Sequence, residues 1–301
     1  MNLIKEINRL KKEQGALILA HYYQRPEIQD IADYVGDSYY LSKIAKDSPN
    51  NLIIFCGVKF MAESAKILSP NKKVLLPALD AGCPMADMAN VDKLLEMKRQ
   101  YPDHTVVTYI NSSTEVKALS DVIVTSSNAE KIISNLDSDK ILFLPDKNLG
   151  RHIANKFPNK EFVLWPGFCI THKKVQPEWI SSSKEKLEDV VVLAHPECEE
   201  NVLELADFIG STGEIINYAT NSDKKNFLIV TEEGVIHPLK LKNPNKNFYV
   251  PGTTMTCINM KKTRLEDVYD ALSKGTYEIS IDEDIRKKAA KALNRMHELA
   301  K

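Results

Sequence analysis

The chain opens with an amphipathic segment and then alternates short apolar runs with helical patterns. Leu3, Ile4, Ile7 and Leu10 recur every three or four residues with charged residues between them, which predicts a helix. Runs such as LILAH from residue 17 and VVLAH from residue 191 are continuously apolar. Strands of this character are buried on both faces, as in a parallel sheet covered by helices. The pattern therefore predicts an α/β protein.

One composite pattern occurs three times, beginning at residues 17, 106 and 191. It consists of an apolar run, a polar turn, an amphipathic helix, a second short apolar run and small hydroxylated residues. The aspartates before the second run, Asp33, Asp121 and Asp207, are separated by 88 and 86 residues. Any α/β protein repeats such units about every 30 residues, but matched side chains at this longer period indicate three homologous repeats.

Further positions keep the same register. The residues 12 places before the three aspartates are His21, Tyr109 and His195. The residues five places after them all carry a hydroxyl and are Ser38, Ser126 and Thr212. Apolar residues of a later strand match as Phe55, Phe143 and Ile229. The runs KVLLP, FVLWP and FYVP each precede a loop with one cysteine, which gives Cys83, Cys169 and Cys257.

These matches predict three homologous αβα repeats with parallel sheets, arranged about a pseudo-threefold axis. The predicted domains are 1–104 with the N-terminal helix, 105–190, and 191–301 with a C-terminal helix. That closing helix has one apolar face, made of Ile285, Ala289, Leu293 and Met296. Because ligands lie beyond the carboxyl ends of the strands in open parallel sheets, we expect the active site in the central cleft.

The charge balance and hydrophobic content of the chain bear on which partners it can bind. The 301 residues are 43% hydrophobic and 27% charged, with 40 basic and 41 acidic residues and a net charge of −1. This balance gives no support for a nucleic-acid or membrane-surface partner. No apolar run approaches the ~18–20 residues that span a bilayer. We expect a cytoplasmic protein, in which five cysteines argue against a disulfide framework.

Three thiols that converge from three repeats repel one another as thiolates and need a cation. Zinc and iron–sulfur clusters are the soft-ligand candidates. Structural zinc normally takes four ligands in closely spaced pairs, whereas these three are 86 and 88 residues apart. On a [4Fe–4S] cluster, three cysteines leave one iron open as a Lewis acid. Cys56 and Cys198 lie at other positions and are interpreted as core residues.

The motifs together resemble the quinolinate synthase family, the A protein of de novo NAD synthesis. The resemblance covers nearly the whole chain, in order, through HYYQ, DIADYVGDS, FMAE, CPMA, YINSS, PDKNLG, GFCITH, HPEC, GST and CINMKK. It implies three α/β domains and one [4Fe–4S] cluster per chain, with three cysteine ligands and one open iron. It also implies the condensation of iminoaspartate with dihydroxyacetone phosphate to quinolinate, with loss of phosphate and water.

The resemblance also assigns residues. The cluster ligands it implies are Cys83, Cys169 and Cys257. The candidate catalytic residues are Tyr23, Tyr109, His195 and Glu197. The candidate substrate-binding residues are His21, Ser38, Asn111, Ser126, His172 and Thr212. Tyr22 departs from the family, which commonly has Asn there, and no lysine after Thr212 can be matched. A transient partner that produces iminoaspartate is a further expectation.

Three other classes remain open from the residues alone. A zinc-dependent hydrolase or lyase could use the same three cysteines. An iron–sulfur redox or sensor protein is the non-enzymatic alternative, although electron carriers usually saturate their iron with four ligands. A nicotinamide-binding enzyme is weakly supported, because no GxGxxG follows any strand.

Overall fold

The computed structural model describes residues 2–252 and 255–301, and within them the chain forms three four-stranded sheets. All pairings between strands of these sheets are parallel. Each sheet has the same order, with its second strand at one edge, then its first, third and fourth. The strands are β1 Ala16–His21, β2 Tyr34–Gly36, β3 Leu52–Cys56, β4 Lys73–Leu75, β5 Thr105–Tyr109, β6 Val122–Val124, β7 Lys140–Leu144, β8 Glu161–Leu164, β9 Val190–Ala194, β10 Phe208–Ile209, β11 Asn226–Val230 and β12 Asn247–Tyr249.

Helices connect the strands and cover both sheet faces. They are α1 Leu3–Gln14, α2 Pro26–Ile31, α3 Ser38–Asp47, α4 Lys59–Leu68, α5 Pro84–Asp87, α6 Val91–Gln100, α7 Thr114–Ala118, α8 Ala129–Ser134, α9 Lys147–Lys156, α10 Pro177–Lys186, α11 Glu200–Leu203, α12 Thr212–Asn221, α13 Ile236–Lys242, α14 Leu265–Lys274 and α15 Glu283–Leu299. Two short 3₁₀ turns occupy His172–Lys174 and Glu233–Val235. No helix in the described ranges has the length and apolar character needed to cross a bilayer.

The prediction of three αβα repeats is confirmed. The first strand of each repeat lies in the middle of its sheet, and all six residues of β1 are buried, which explains its continuously apolar sequence. Each repeat has four strands, because the short apolar run after the aspartate forms an edge strand of two or three residues. The arrangement of the three repeats about a pseudo-threefold axis stays a prediction.

The recurrent aspartate has the same structural task in all three copies. The Asp33 carboxylate accepts the Ile18 N–H at 2.8 Å, while the Asp33 N–H donates to the Ile18 carbonyl at 2.8 Å. The pairs Asp121–Val106 and Asp207–Val192 repeat both bonds at 2.7–3.0 Å. The aspartate thus fastens the chain leading into the edge strand onto the first strand, which explains why its spacing is kept.

A lysine that the sequence analysis did not single out follows the same register. Lys72, Lys160 and Lys246 are also separated by 88 and 86 residues. Lys72 and Lys246 donate to carbonyl oxygens at the end of a preceding helix, Lys72 to Ala45 at 2.7 Å and Lys246 to Ala219 at 2.6 Å, and Lys160 donates to the Leu136 and Ser138 carbonyls just after α8. A cation at a helix C-terminus is favoured by the unpaired carbonyls and the helix dipole.

The two closing helices pack away from the third sheet. Residues Val268, Ala271 and Leu272 of α14 belong to the core around β1 and β3. Ala289 and Leu293 of α15 are buried in the core shared by the first two repeats, which confirms the predicted apolar face of this helix. The ranges 1–104, 105–190 and 191–301 stay proposed domain boundaries, with 265–301 covering repeats other than its own.

Candidate active site

All the residues predicted for the site line a single cavity between the repeats. They are the last residues of strands, lie in loops that follow strands or lie at the first turns of helices, at the carboxyl edge of each sheet. The structure therefore brings the predicted set together, while the role of each residue stays a prediction. The predicted residues in the lining are His21, Tyr23, Ser38, Cys83, Tyr109, Asn111, Ser126, Cys169, His172, His195, Glu197, Thr212 and Cys257.

Two histidines occupy equivalent positions in the first and third repeats. The His21 Nδ1 accepts the Tyr23 N–H at 3.1 Å, and the His195 Nδ1 accepts the Glu197 N–H at 3.3 Å. These bonds assign the proton of each neutral ring to Nε2. Burial lowers the pKa of both imidazoles to about 3, so at neutral pH they offer an N–H donor and no charge.

Tyr109 takes the equivalent position in the second repeat and makes a different contact. Its hydroxyl donates to Glu197 Oε1 at 2.6 Å, and His172 Nδ1 lies 2.9 Å from Glu197 Oε2. Burial raises the pKa of Glu197, but His195, His172 and the Tyr109 hydroxyl together lower it further, so the carboxylate is ionised. Burial and the Glu197 charge raise the pKa of Tyr109 well above its usual value. Tyr109 is therefore a proton-bearing donor.

A chain of hydrogen bonds joins the two tyrosines of the site. The Tyr23 hydroxyl bonds with the Thr231 hydroxyl at 2.8 Å, and Thr231 bonds with His172 Nε2 at 2.9 Å. His172 then contacts Glu197, which accepts from Tyr109. This hydrogen-bond chain, Tyr23–Thr231–His172–Glu197–Tyr109, uses residues from all three repeats and gives protons a continuous route through the site.

Two of the three recurrent hydroxyls, those of Ser38 and Thr212, leave helix capping to the residue before them. Asp37, and not Ser38, caps α3 by accepting the Tyr40 N–H at 2.8 Å. The residue before Thr212, Ser211, caps α12 and completes a capping box with Glu214. Ser38 and Thr212 are thus the first residues of their helices, and Ser126 lies in the turn before α8. The hydroxyls face the cavity beside helix N-termini, which favour anions.

The three loop cysteines share one local geometry. Burial raises the pKa of each thiol, and a backbone N–H three residues later lowers it by hydrogen bonding to sulfur: Ala86 for Cys83, His172 for Cys169 and Met260 for Cys257. Such donors stabilise thiolates, the form that binds metal. Cys56 and Cys198 are fully buried in apolar cores, which confirms their interpretation as core residues.

Cys169 also belongs to a second possible donor set. One ligand atom from each of Cys169, His172 and Glu197 lies within 4.8 Å of the others, a spacing compatible with a single metal ion. The His172 Nδ1 is 3.2 Å from the Cys169 sulfur. The geometry is therefore compatible with two kinds of metal centre, and Cys83 and Cys257 belong to only one of them.

The polar residues of the site that the sequence analysis did not single out include Thr231, Glu232 and Lys261. Thr231 ends an apolar run, where a threonine is unremarkable. Glu232 is fully buried in the cavity wall, and it accepts the Cys257 N–H at 2.9 Å. Lys261 pairs with Glu232 at 3.0 Å. Glu232 lies 86 residues after Asp146 of the PDKNLG motif, so the repeat register could have drawn attention to it.

Comparison with known proteins supports the resemblance drawn from the motifs. The family model described as quinolinate synthetase A protein matches residues 5–298. A quinolinate synthase of Clostridium perfringens (strain ATCC 13124) is 59% identical over 299 residues, covering 99% of both chains. Quinolinate synthases of Clostridioides difficile (strain 630) and Clostridium acetobutylicum are 52% and 55% identical, over 99% and 98% of this chain and 98% and 97% of theirs. The chain therefore belongs to the quinolinate synthetase A family of enzymes.

Proposed function

We propose that the protein condenses iminoaspartate with dihydroxyacetone phosphate to give quinolinate, releasing phosphate and water, in the synthesis of NAD. The observation that carries the proposal is the convergence of three cysteine loops and the hydrogen-bond chain on one cavity. The relatives named quinolinate synthase match this chain along nearly its whole length. We propose a cytoplasmic location, with iminoaspartate supplied by a partner enzyme or by diffusion.

The donor set fits one [4Fe–4S] cluster per chain. Cys83, Cys169 and Cys257 would hold it, since each sulfur faces the cavity and accepts a backbone N–H. Three sulfur ligands from three repeats suit an iron–sulfur cluster better than a structural zinc site, which closes with four. When bound, the cluster supplies one open iron as a Lewis acid for loss of a hydroxyl group.

Binding of the two anionic substrates falls to hydrogen-bond donors of the cavity wall, which also includes Lys174. Ser38, Ser126 and Thr212 offer hydroxyls beside helix N-termini, where carboxylates and phosphate are favoured. His21 and His195 add uncharged Nε2–H donors, and Asn111 adds an amide. Donors from all three repeats surround the cavity, which suits a product with two carboxylates and a precursor with a phosphate.

Proton transfers fall to the hydrogen-bond chain. Glu197 is the ionised group and accepts protons during enolisation and imine formation. Tyr109 donates to it at 2.6 Å and keeps its own proton, so it holds the carboxylate while Glu197 returns the accepted proton to a leaving group. Tyr23, at the other end of the chain, can exchange protons through Thr231 and His172.

Anaerobically prepared protein supplied with both substrates tests the proposal. We expect quinolinate and phosphate to appear in equal amounts, and Glu197→Gln to reduce the rate by at least about a hundredfold, since acid–base groups commonly contribute this much. Glu199→Gln changes a nearby, partly exposed carboxylate that pairs with Lys147; it is the matched control and should retain activity. Absence of quinolinate from metal-replete parent protein would contradict the proposal.

One observation favours a second candidate, a mononuclear zinc hydrolase or lyase. Cys169, His172 and Glu197 form a donor set of the kind that catalytic zinc uses, with three ligands and an open position. This alternative needs neither Cys83 nor Cys257. Metal retained after removal of Cys83 would therefore favour it over the cluster.

A further inference from the structure

The Glu232 side chain is fully buried, and each of its carboxylate oxygens accepts a hydrogen bond. Its Oε1 accepts the Cys257 N–H at 2.9 Å, and its Oε2 accepts the Gly234 N–H at 2.7 Å. The Lys261 ammonium group lies 3.0 Å from the first oxygen and 3.1 Å from the second. A buried carboxylate is tolerated when it is paired and fully hydrogen-bonded in this way.

Lys261 continues the connection into the first repeat. Its ammonium group donates to the Tyr23 carbonyl at 2.6 Å, and its own carbonyl accepts from Arg25 at 2.9 Å. A side chain at Gly234 would come within 2.8 Å of Lys261 and of the backbone at Tyr23, so the loops meet at a spacing that only glycine allows. The Lys261 side chain is therefore the charged group that joins the third repeat to the backbone of the Tyr23 loop, beside the hydroxyl contacts of Tyr23 with Thr212 and Thr231.

The second repeat has an acid and a lysine at the equivalent positions and makes no such pair, and the first repeat has Val58 and Asp87 there. Asp146 is the counterpart of Glu232, and its carboxylate caps α9 by accepting the Leu149 N–H at 2.7 Å. Lys173 is the counterpart of Lys261, four residues after its cysteine, and lies 3.7 Å from the centre of the Phe168 ring. The ion pair is thus a departure from the threefold pattern, located where the third cysteine loop meets the first repeat.

We propose that Glu232 and Lys261 are positioning residues that fix the Cys257 loop and the Tyr23 loop as one unit. The neighbour of Glu232, Thr231, is the link between Tyr23 and His172, so the same segment also sets the hydrogen-bond chain. The pair couples the third sulfur ligand to the proton route. This inference rests on the proposed function, because it takes Cys257 as a cluster ligand.

Two substitutions and their combination test the pair. Glu232→Gln keeps the shape but loses the charge and one acceptor, and Lys261→Met keeps the length but loses the donor. Groups that orient metal ligands commonly change metal affinity or activity by about 10–100-fold when removed. We expect each variant to lose its cluster absorbance in air at least about tenfold faster than the parent. We also expect kcat to fall about tenfold with little change in KM.

Non-additivity identifies the pair as a unit. If both residues act together, Glu232→Gln with Lys261→Met should be no worse than the more severe single variant. The matched control is Glu233→Gln, which changes the adjacent carboxylate, whose partner is the Thr256 hydroxyl at 2.6 Å. It should match the parent in both readouts. Thermal midpoints of all variants separate a local effect from loss of folding, and the partly exposed Lys261 provides a variant that can fold if Glu232→Gln does not.

The outcomes separate this inference from the proposed function. A parent that holds its cluster, with both single variants within about twofold of Glu233→Gln in cluster loss and kcat, overturns the coupling alone. Additive effects of the two substitutions would contradict the proposal that Glu232 and Lys261 act as one unit. A parent without a cluster after anaerobic reconstitution overturns the proposed function, and the coupling with it.

Discussion

The second repeat differs from the first and third at the position that ends its central strand. His21 and His195 each turn Nδ1 back to a backbone N–H two residues later, whereas Tyr109 reaches outward to the Glu197 carboxylate at 2.6 Å. The strands that carry these residues have the same place in their sheets. The scaffold is therefore the same in the three repeats. The Glu197 carboxylate accepts a hydroxyl donor because the second repeat has a tyrosine where the others have a histidine.

This comparison shows how a repeated fold can acquire an asymmetric reaction site. Three equivalent strand ends supply three positions that face one cavity, which suits ligands with several anionic groups. Proton transfer needs donors and acceptors that differ from one another. The tyrosine of the second repeat, which donates to the Glu197 carboxylate where the other repeats have histidine, provides that difference.

The largest expected effect comes from removing the contact that distinguishes the second repeat. Tyr109→Phe deletes the donor to Glu197, and we expect kcat to fall about a hundredfold. Tyr109→His makes the three positions more alike and should lose as much, because a histidine that bonds its own loop cannot reach the carboxylate. Steady-state rates measure both variants, and Tyr277→Phe on the surface is the control. Full activity of Tyr109→His would contradict the comparison.

The histidines of the first and third repeats should respond alike. Asn at either position keeps an acceptor near Nδ1 and removes the Nε2–H donor, so His21→Asn and His195→Asn should each lose about tenfold in kcat/KM, the value of one hydrogen bond to substrate. Measuring kcat/KM for both variants under the same conditions shows whether the two histidines contribute equally. A large loss for one and none for the other would show that the equivalent positions do not act equivalently.

Stability across pH should follow the same two histidines. Their pKa is about 3 in the folded protein and about 6.5 in the unfolded chain, so the unfolded chain binds more protons between these values. Their contribution to stability is complete above about pH 6.5 and is lost as pH falls towards 3. Thermal midpoints measured over this range should decline less steeply in His195→Asn. An equal slope in the variant would contradict the assigned burial effect.

The smallest effects should come from the recurrent aspartates, which serve the scaffold alone. Replacing Asp33, Asp121 or Asp207 by Ala removes a bond to a strand N–H, worth about 1 kcal/mol at a partly exposed position, and at Asp33 it also removes an ion pair with Lys11. We expect each variant to lower the thermal midpoint by about 2–4 °C and to leave kcat within about twofold. Three similar losses would support equivalent scaffold roles. A loss of activity without a loss of stability would place that aspartate in the site instead.

The sequence made the repeat visible because buried strands and their bonded aspartates restrict residue type at fixed spacings. The cavity followed from the rule that ligands lie at the carboxyl ends of parallel strands, and motif resemblance added His172 and Asn111. Other features left no such trace. A threonine such as Thr231 is common after an apolar run, and its contact with His172 depends on how two repeats meet.

Packing partners of the closing helices also could not be predicted. The apolar face of α15 was evident from Ala289, Leu293 and Met296, but periodicity shows which residues are buried and not what covers them. The structure places this helix on the first two repeats, although it follows the third in sequence. The Glu232–Lys261 pair was missed for a related reason, since charged residues in loops are usually solvent-exposed.

If the three repeats each provide one sulfur ligand to a single cluster, removal of one cysteine should abolish metal binding. Iron and acid-labile sulfide are measured per chain in anaerobically prepared parent protein and in Cys83→Ala, with Cys56→Ala as the buried control. We predict about four of each in the parent and in Cys56→Ala, and near-complete loss in Cys83→Ala. Zinc in the parent, or metal retained in Cys83→Ala, would contradict the account.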